Sequence, residues 1–148
     1  MGTRSSIAIK HNNVVRAIYC HWDGYLEHNG YILHQHYQNS VKVNRLISLG
    51  HLSVLGEEIG EEIGDRLGKD DLPVTESWCI FYSRDRGESG TEFTNFNSEE
   101  DWVANMESRG CEYFYLYDSG VWYVSQDGVE GNPLHEVLDE LDCSKEAA

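Results

Sequence analysis

The chain has 148 residues, 40% of them hydrophobic and 11% aromatic, which suits one domain with a real core and is too apolar for a disordered chain. Its formal net charge of −15 argues against direct nucleic-acid binding, because the phosphates would be repelled. No apolar run approaches the roughly 20 residues that span a bilayer, and MGTRSSIAIK has no apolar signal core, so a cytoplasmic location without membrane contact is expected.

SSIAIKHNNVVRAIYCHW reads as two strands joined at His11-Asn12-Asn13, with Ile7 and Ile9 alternating against polar neighbours and Asp23-Gly24 ending the second strand. The spacing then becomes helical. Ile32, Leu33, His36 and Tyr37 share one face of a short helix. A second helix is expected to start at a Ser40 cap, to turn Val43, Leu46 and Ile47 inward, and to stop at Gly50.

Residues 55–73 form an acidic glycine repeat. Gly56, Gly60, Gly64 and Gly68 recur every fourth position, beside one carboxylate row of Glu57, Glu61 and Asp65 and another of Glu58 and Glu62. Interior glycines cost a helix roughly 0.8–1 kcal/mol each relative to alanine, and like charges four apart add repulsion. A marginal helix and a mobile acidic segment both fit this pattern.

SWCIFYSRD is expected as a strand over 77–85, RGESG as the turn after it, and TEFTNF as its hairpin partner. In SEEDWVANMESRG, Ser98 can cap a helix with Asp101 at the capping-box position, Trp102, Val103 and Met106 line one face, and Gly110 terminates it. EYFYLYD and VWYVSQ flank Ser119-Gly120 as a second hairpin. Asn132-Pro133 opens a last helix with Leu134, Val137, Leu138 and Leu141 inward. Hairpins rather than crossovers indicate an α+β fold over 1–148, a single domain whose antiparallel sheet carries packed helices.

The charge is uneven. Residues 1–50 hold five Lys/Arg against Asp23 and Glu27, which is +3 and leaves −18 for the rest of the −15 total. Six of the seven histidines also fall at or before His51. The density of His, Cys and Asp in YCHWDGYLEH raises metal binding, but Cys20 and His21 are adjacent and point to opposite faces of a strand, and no C-x-x-C pair occurs. The four cysteines read as reduced, mostly buried thiols, and neither metal nor cofactor is expected. Catalysis could be drawn from Ser5, His21 and Asp23, yet no nucleophile signature frames a serine.

Two binding chemistries remain. Arg4, Arg84 and Arg86, with Trp22 and Tyr25 near sequence breaks and His21 and Asp23 between them, could form an arginine and aromatic rim for a nucleotide. The bland alternative has Asp85 and Asp23 pairing the arginines and fixing turns. The acidic residues, from Glu57, Glu58, Glu61, Glu62 and Asp65 to Glu99, Glu107, Glu136 and Asp142, could instead form a continuous negative face that steers toward a basic protein.

MGTRSSIAI, IYCHWDGY, LGEEIGE, FYSRDRGE and YLYDSGVWYVS together resemble a family of small proteins from bacteriophage and prophage genomes. The resemblance implies a viral origin and a shared fold, and it transfers no catalytic residue. By analogy with phage accessory proteins, it implies an acidic binding protein that blocks a basic host protein, for instance one of host defence. The alternatives are capture of a nucleotide signal at the arginine rim, or an enzyme using His21 and Asp23. No feature of the sequence marks an oligomeric state.

Overall fold

A computed structural model describes residues 3–60, 78–126 and 131–147. Strands β1 (Arg4–His11) and β2 (Val14–Cys20) pair from His11 opposite Val14 to Ser5 opposite Cys20. The two-residue link needs positive φ at both positions, and Asn12 (49°) and Asn13 (67°) supply it. Strand β6 (Cys111–Asp118) turns into β7 (Val121–Gln126) in the same way through Ser119 (53°) and Gly120 (85°). Asparagine and glycine tolerate the left-handed region, and Ser119 enters it beside Gly120 with its Oγ donating to Asp118 Oδ1 at 3.1 Å, so each sequence carries its own register signal.

The two hairpins join through β1 and β6, which run parallel with Ile7 opposite Tyr115. The α+β class holds, but the sheet is mixed rather than antiparallel. Hairpin chemistry sets direction only within a hairpin, and the long stretch between β1 and β6 is free to deliver either sense. Strands β3 (Leu52–Val54), β4 (Ile80–Phe81), β5 (Thr94–Phe96) and β8 (Asn132–Pro133) extend the sheet to the order β4-β3-β2-β1-β6-β7-β8, with β5 paired to β2.

Alternation along the central strands creates two unlike faces. Ile7, Ile9, Ile18, Tyr115, Tyr117, Trp122 and Val124 point to one side. There they meet Leu33 of α1 (Tyr31–His36), Val43, Leu46 and Ile47 of α2 (Ser40–Ser48), and Leu134 and Leu138 of α5 (Leu134–Ala147). The other side presents Ala8, Val15, Ala17, Phe114 and Leu116 to Trp102 and Met106 of α4 (Glu99–Glu107). The small residues admit the indole, whose Nε1 donates to Ser6 Oγ at 2.8 Å, while that hydroxyl donates to the Ile18 carbonyl. Ser98 caps α4 as expected, its oxygen accepting from Asp101 N at 3.1 Å.

Three expectations change. Asn39, not Ser40, caps α2, because its Oδ1 sits 2.8 Å from Val41 N. Among the described residues of the expected strand 77–85, Ile80–Phe81 forms β4 and Trp78 makes an isolated bridge to Glu58. Tyr82–Arg86 forms a helical turn, α3, because the Asp85 carboxylate reaches back to Phe81 N at 2.7 Å and Gly87 closes the turn at φ 68°. As a result β4 pairs with β3, a strand without a long sequence pattern, and β5 pairs with β2 instead of forming the expected hairpin with 77–85. Glu61, Glu62 and Asp65 of the glycine repeat lie outside the described residues. Among those described, no helix is long and apolar enough to cross a membrane.

Candidate functional site

The segment that opens with Tyr19 and Cys20 ends β2 and then crosses the sheet end. His21 N donates to Leu52 O and Trp22 N to Ser53 O, both at 3.1 Å, while Gly24 N donates to Thr3 O at 2.8 Å. Gly24 lies so close to β1 that an added Cβ would stand 2.7 Å from Ser5 Cβ, so the loop closes only with glycine there. Tyr115 fixes it from below, its hydroxyl donating to Gly24 O at 2.7 Å. Since Tyr82 N also donates to His51 O, the segments GTRS, CHWDGY and FYSRDRGE converge on this end of the sheet.

Convergence does not produce a catalytic set here. Ser5 and Cys20 face the helix-covered side, where Asn29 Nδ2 donates to Ser5 Oγ at 3.3 Å and to Cys20 Sγ at 3.5 Å. Burial pushes the Cys20 thiol up to about 12, so it packs as a neutral group. His21 lies on the opposite side, its Nδ1 2.8 Å from the Tyr19 hydroxyl. Asp23 adopts φ 57° at the turn beside Tyr25, whose phenol its charge pushes above the usual range. Trp22 is 41% exposed and stands edge-on to His21 at 4.8 Å. Among the described residues, no three His, Cys, Asp or Glu side chains gather as a metal cluster.

The structure separates the expected arginine rim. Arg84 is used up internally: Nη1 donates to Ile59 O (2.9 Å) and Gly60 O (3.2 Å), Nη2 to Cys79 O (3.0 Å), and Nε and Nη2 grip the Asp85 carboxylate at 3.0 Å. Its plane also covers the Phe81 ring. Arg84 is therefore a clamp that ties Ile59–Gly60 to the β4–α3 corner. Of the two carboxylates thought to pair arginines, Asp85 does so, and Asp23 has no arginine partner among the described residues. Arg86 closes α3, and its side chain lies outside the described set.

Arg4 takes another course. Its Nη1 donates to Arg109 O at 3.1 Å, and Arg109 Nη1 stands 3.2 Å from His51 Nε2. Tyr19 N donates to His51 Nδ1 at 2.9 Å. Burial, assisted by the Arg109 cation, lowers His51 to about 4, so its ring is neutral near pH 7. Arg4, His21 and three residues that sequence reasoning missed, Tyr19, His51 and Arg109, thus share one corner. No local signal flags Arg109 and His51, which lie 58 positions apart.

The chain matches no family model, no curated protein and no solved structure. Its chemistry must therefore be read from its own surfaces.

The described acidic residues do not form one face. The carboxylates of α5 lie on the side that packs Leu134 and Leu138, and those of α4 on the side of Trp102. Glu57 lies 3.7 Å from His36, and Glu58 lies 3.9 Å from Lys42, so the repeat begins beside an imidazole ring and one lysine countercharge. On the α4 side, Trp102, Phe114 and Leu116 are buried, while Val103 and Tyr123 beside them are half-buried. A groove of about 560 Å³ lies there, with Trp102, Val103, Phe114 and Leu116 in its wall and Glu100 and Glu107 among its rim residues. Glu99 also lines it and meets Lys10 at 3.1 Å, whereas neither Glu100 nor Glu107 has an ion-pair partner among the described residues.

Proposed function

We propose that the protein is a non-catalytic binding protein whose α4 groove takes a Lys/Arg-rich segment of a partner protein, anchored by one apolar side chain. The observation that carries this reading is the pairing of an apolar wall with unpaired carboxylates at the rim. An apolar anchor would leave water against the half-buried Val103 and Tyr123, while the rim glutamates favour cationic flanks and speed encounter. The net charge of −15 adds long-range attraction for a basic surface. With the resemblance to phage proteins, a basic host protein is the partner class this reading favours, and blocking its work, in defence or elsewhere, is the consequence.

Fluorescence anisotropy with labelled Lys/Arg-rich peptides, with and without one Leu or Phe, tests it. Binding is expected to need the apolar residue and to weaken with salt. It should fall roughly tenfold or more in Glu100→Lys/Glu107→Lys, the loss of about 1.4 kcal/mol that such a factor represents. Equal loss in Glu136→Lys/Glu140→Lys, on the far side of the sheet, would mean that global charge rather than the groove does the binding.

A further inference from the structure

We propose that Arg4, Arg109 and His51 form a binding site for the phosphate group of a small molecule, at the corner where β1 begins and α4 has ended. None of these residues lines the α4 groove, so the inference stands apart from the function proposed above.

The first ground is the isolation of the two cations. The chain holds 26 acidic residues, yet among the described residues neither Arg4 nor Arg109 forms an ion pair. Lys10, Lys42 and Arg84 do. Of the other described cations without one, Arg16 bonds Asn95 and covers Phe93, while Arg45 is exposed on α2. Arg4 and Arg109 differ in being held side by side. Arg4 is held beside Arg109 by its bond to the Arg109 carbonyl, and it lies against Gly110, where an added Cβ would meet its Nη1 at 2.9 Å. Gly110 also needs φ 89°, so its lack of a side chain serves both the turn and the arginine.

The second ground is a mismatch at His51. A backbone N–H can only donate, so the Tyr19 N–H makes His51 Nδ1 the acceptor. In a neutral ring the proton then sits on Nε2. Arg109 Nη1, 3.2 Å away, is also an obligate donor, and the two N–H groups confront one another. His51 is only 6% exposed, which keeps bulk water from resolving the conflict freely. An oxyanion seated across the pair would accept from both.

A phosphate answers this arrangement better than a carboxylate. It offers three oxygens and close to two negative charges to two guanidinium forks and one imidazole N–H. The end of α4 opposes an anion by a modest dipole effect, which two full cations outweigh. Glu92 acts on His51 electrostatically but pairs with neither arginine. The exposed Trp22 ring beside His21 offers a plane for whatever the phosphate carries.

Calorimetric titration with inorganic phosphate and with AMP, at fixed salt, tests the site. Saturable binding of one or both is expected, reduced at least tenfold in Arg109→Ala and unchanged in Arg45→Ala, an exposed arginine on α2. AMP binding tighter than phosphate, and brought level with it by Trp22→Ala, would assign a nucleotide; equal affinities would assign the free ion. Nitrogen NMR of His51 adds a reading independent of affinity, with Nδ1 bare, Nε2 protonated, and the Nε2 signal moving on titration. Absence of saturable binding by either probe, or binding indifferent to Arg109→Ala, overturns the proposal.

Discussion

Arg84 and Arg109 carry the same group into opposite surroundings. Arg84 is flanked by Asp85 and by three backbone carbonyls, with a side chain only 12% exposed and every N–H direction satisfied. Arg109 follows α4, is exposed, and faces another donor. A cation in an acidic protein is therefore not a ligand site by virtue of its type. What matters is how many of its N–H groups the fold has left over, and by that measure the recognisable SRDRGE segment is a clamp and the inconspicuous ESRGC segment is an open site.

The largest expected effect lies on the clamp. Asp85→Ala removes a fully buried carboxylate that holds both Arg84 and the Phe81 N–H, and it should destabilise the fold by about 3–5 kcal/mol in urea unfolding. A loss below about 1 kcal/mol, the scale of a surface pair, would erase the contrast between the two arginines. Arg84→Ala should cost a comparable amount, through stranded carbonyls and an unpaired Asp85.

The next effect belongs to His51 and depends on pH. Its ring takes a proton near 6.5 in the unfolded chain and near 4 in the fold, so the unfolded state binds the proton first as pH falls. Stability present above pH 6.5 should decline through that window by as much as about 3 kcal/mol. Tyr19, Arg109 and Glu92 face the ring and contribute to the slope. His51→Asn, whose Oδ1 can accept from Tyr19 N, should flatten this part of a Tm-versus-pH curve. An unchanged slope would show that other groups govern it.

The smallest effect is on the stability of the open arginine. Arg109→Ala should change unfolding free energy by no more than about 0.5 kcal/mol, in the same preparation that loses phosphate binding. A large stability loss would make Arg109 a second clamp and dissolve the comparison.

Much of the scaffold is legible from local chemistry. Asn12-Asn13 and Ser119-Gly120 announce their hairpins, and Ser98 announces α4, because such signals act over a few residues. The α+β class and the inward residues of α2 follow from the same local patterns. Segment 77–85 misleads for a definite reason: its apolar and aromatic residues favour a strand, yet Asp85 folds back onto Phe81 N and winds the chain. Strand β3 is too short to show a period. The candidate site is legible only in part, since Arg4 and His21 can be singled out by type but their companions cannot.

The sequence by itself determined the two hairpin turns, the Ser98 cap of α4, the alternation that sorts side chains to two faces, and the net charge. Tertiary structure alone decided the parallel meeting of β1 and β6, the division of the described acidic residues between two faces, and that Arg84 is saturated while Arg109 is not. Turns and caps are settled by bonds between near neighbours, and alternation by the pleat of a single strand. Whether a guanidinium is saturated depends on carbonyls and carboxylates brought from distant positions, as Ile59 is to Arg84 and His51 to Arg109. Those distances exist only once the sheet has assembled.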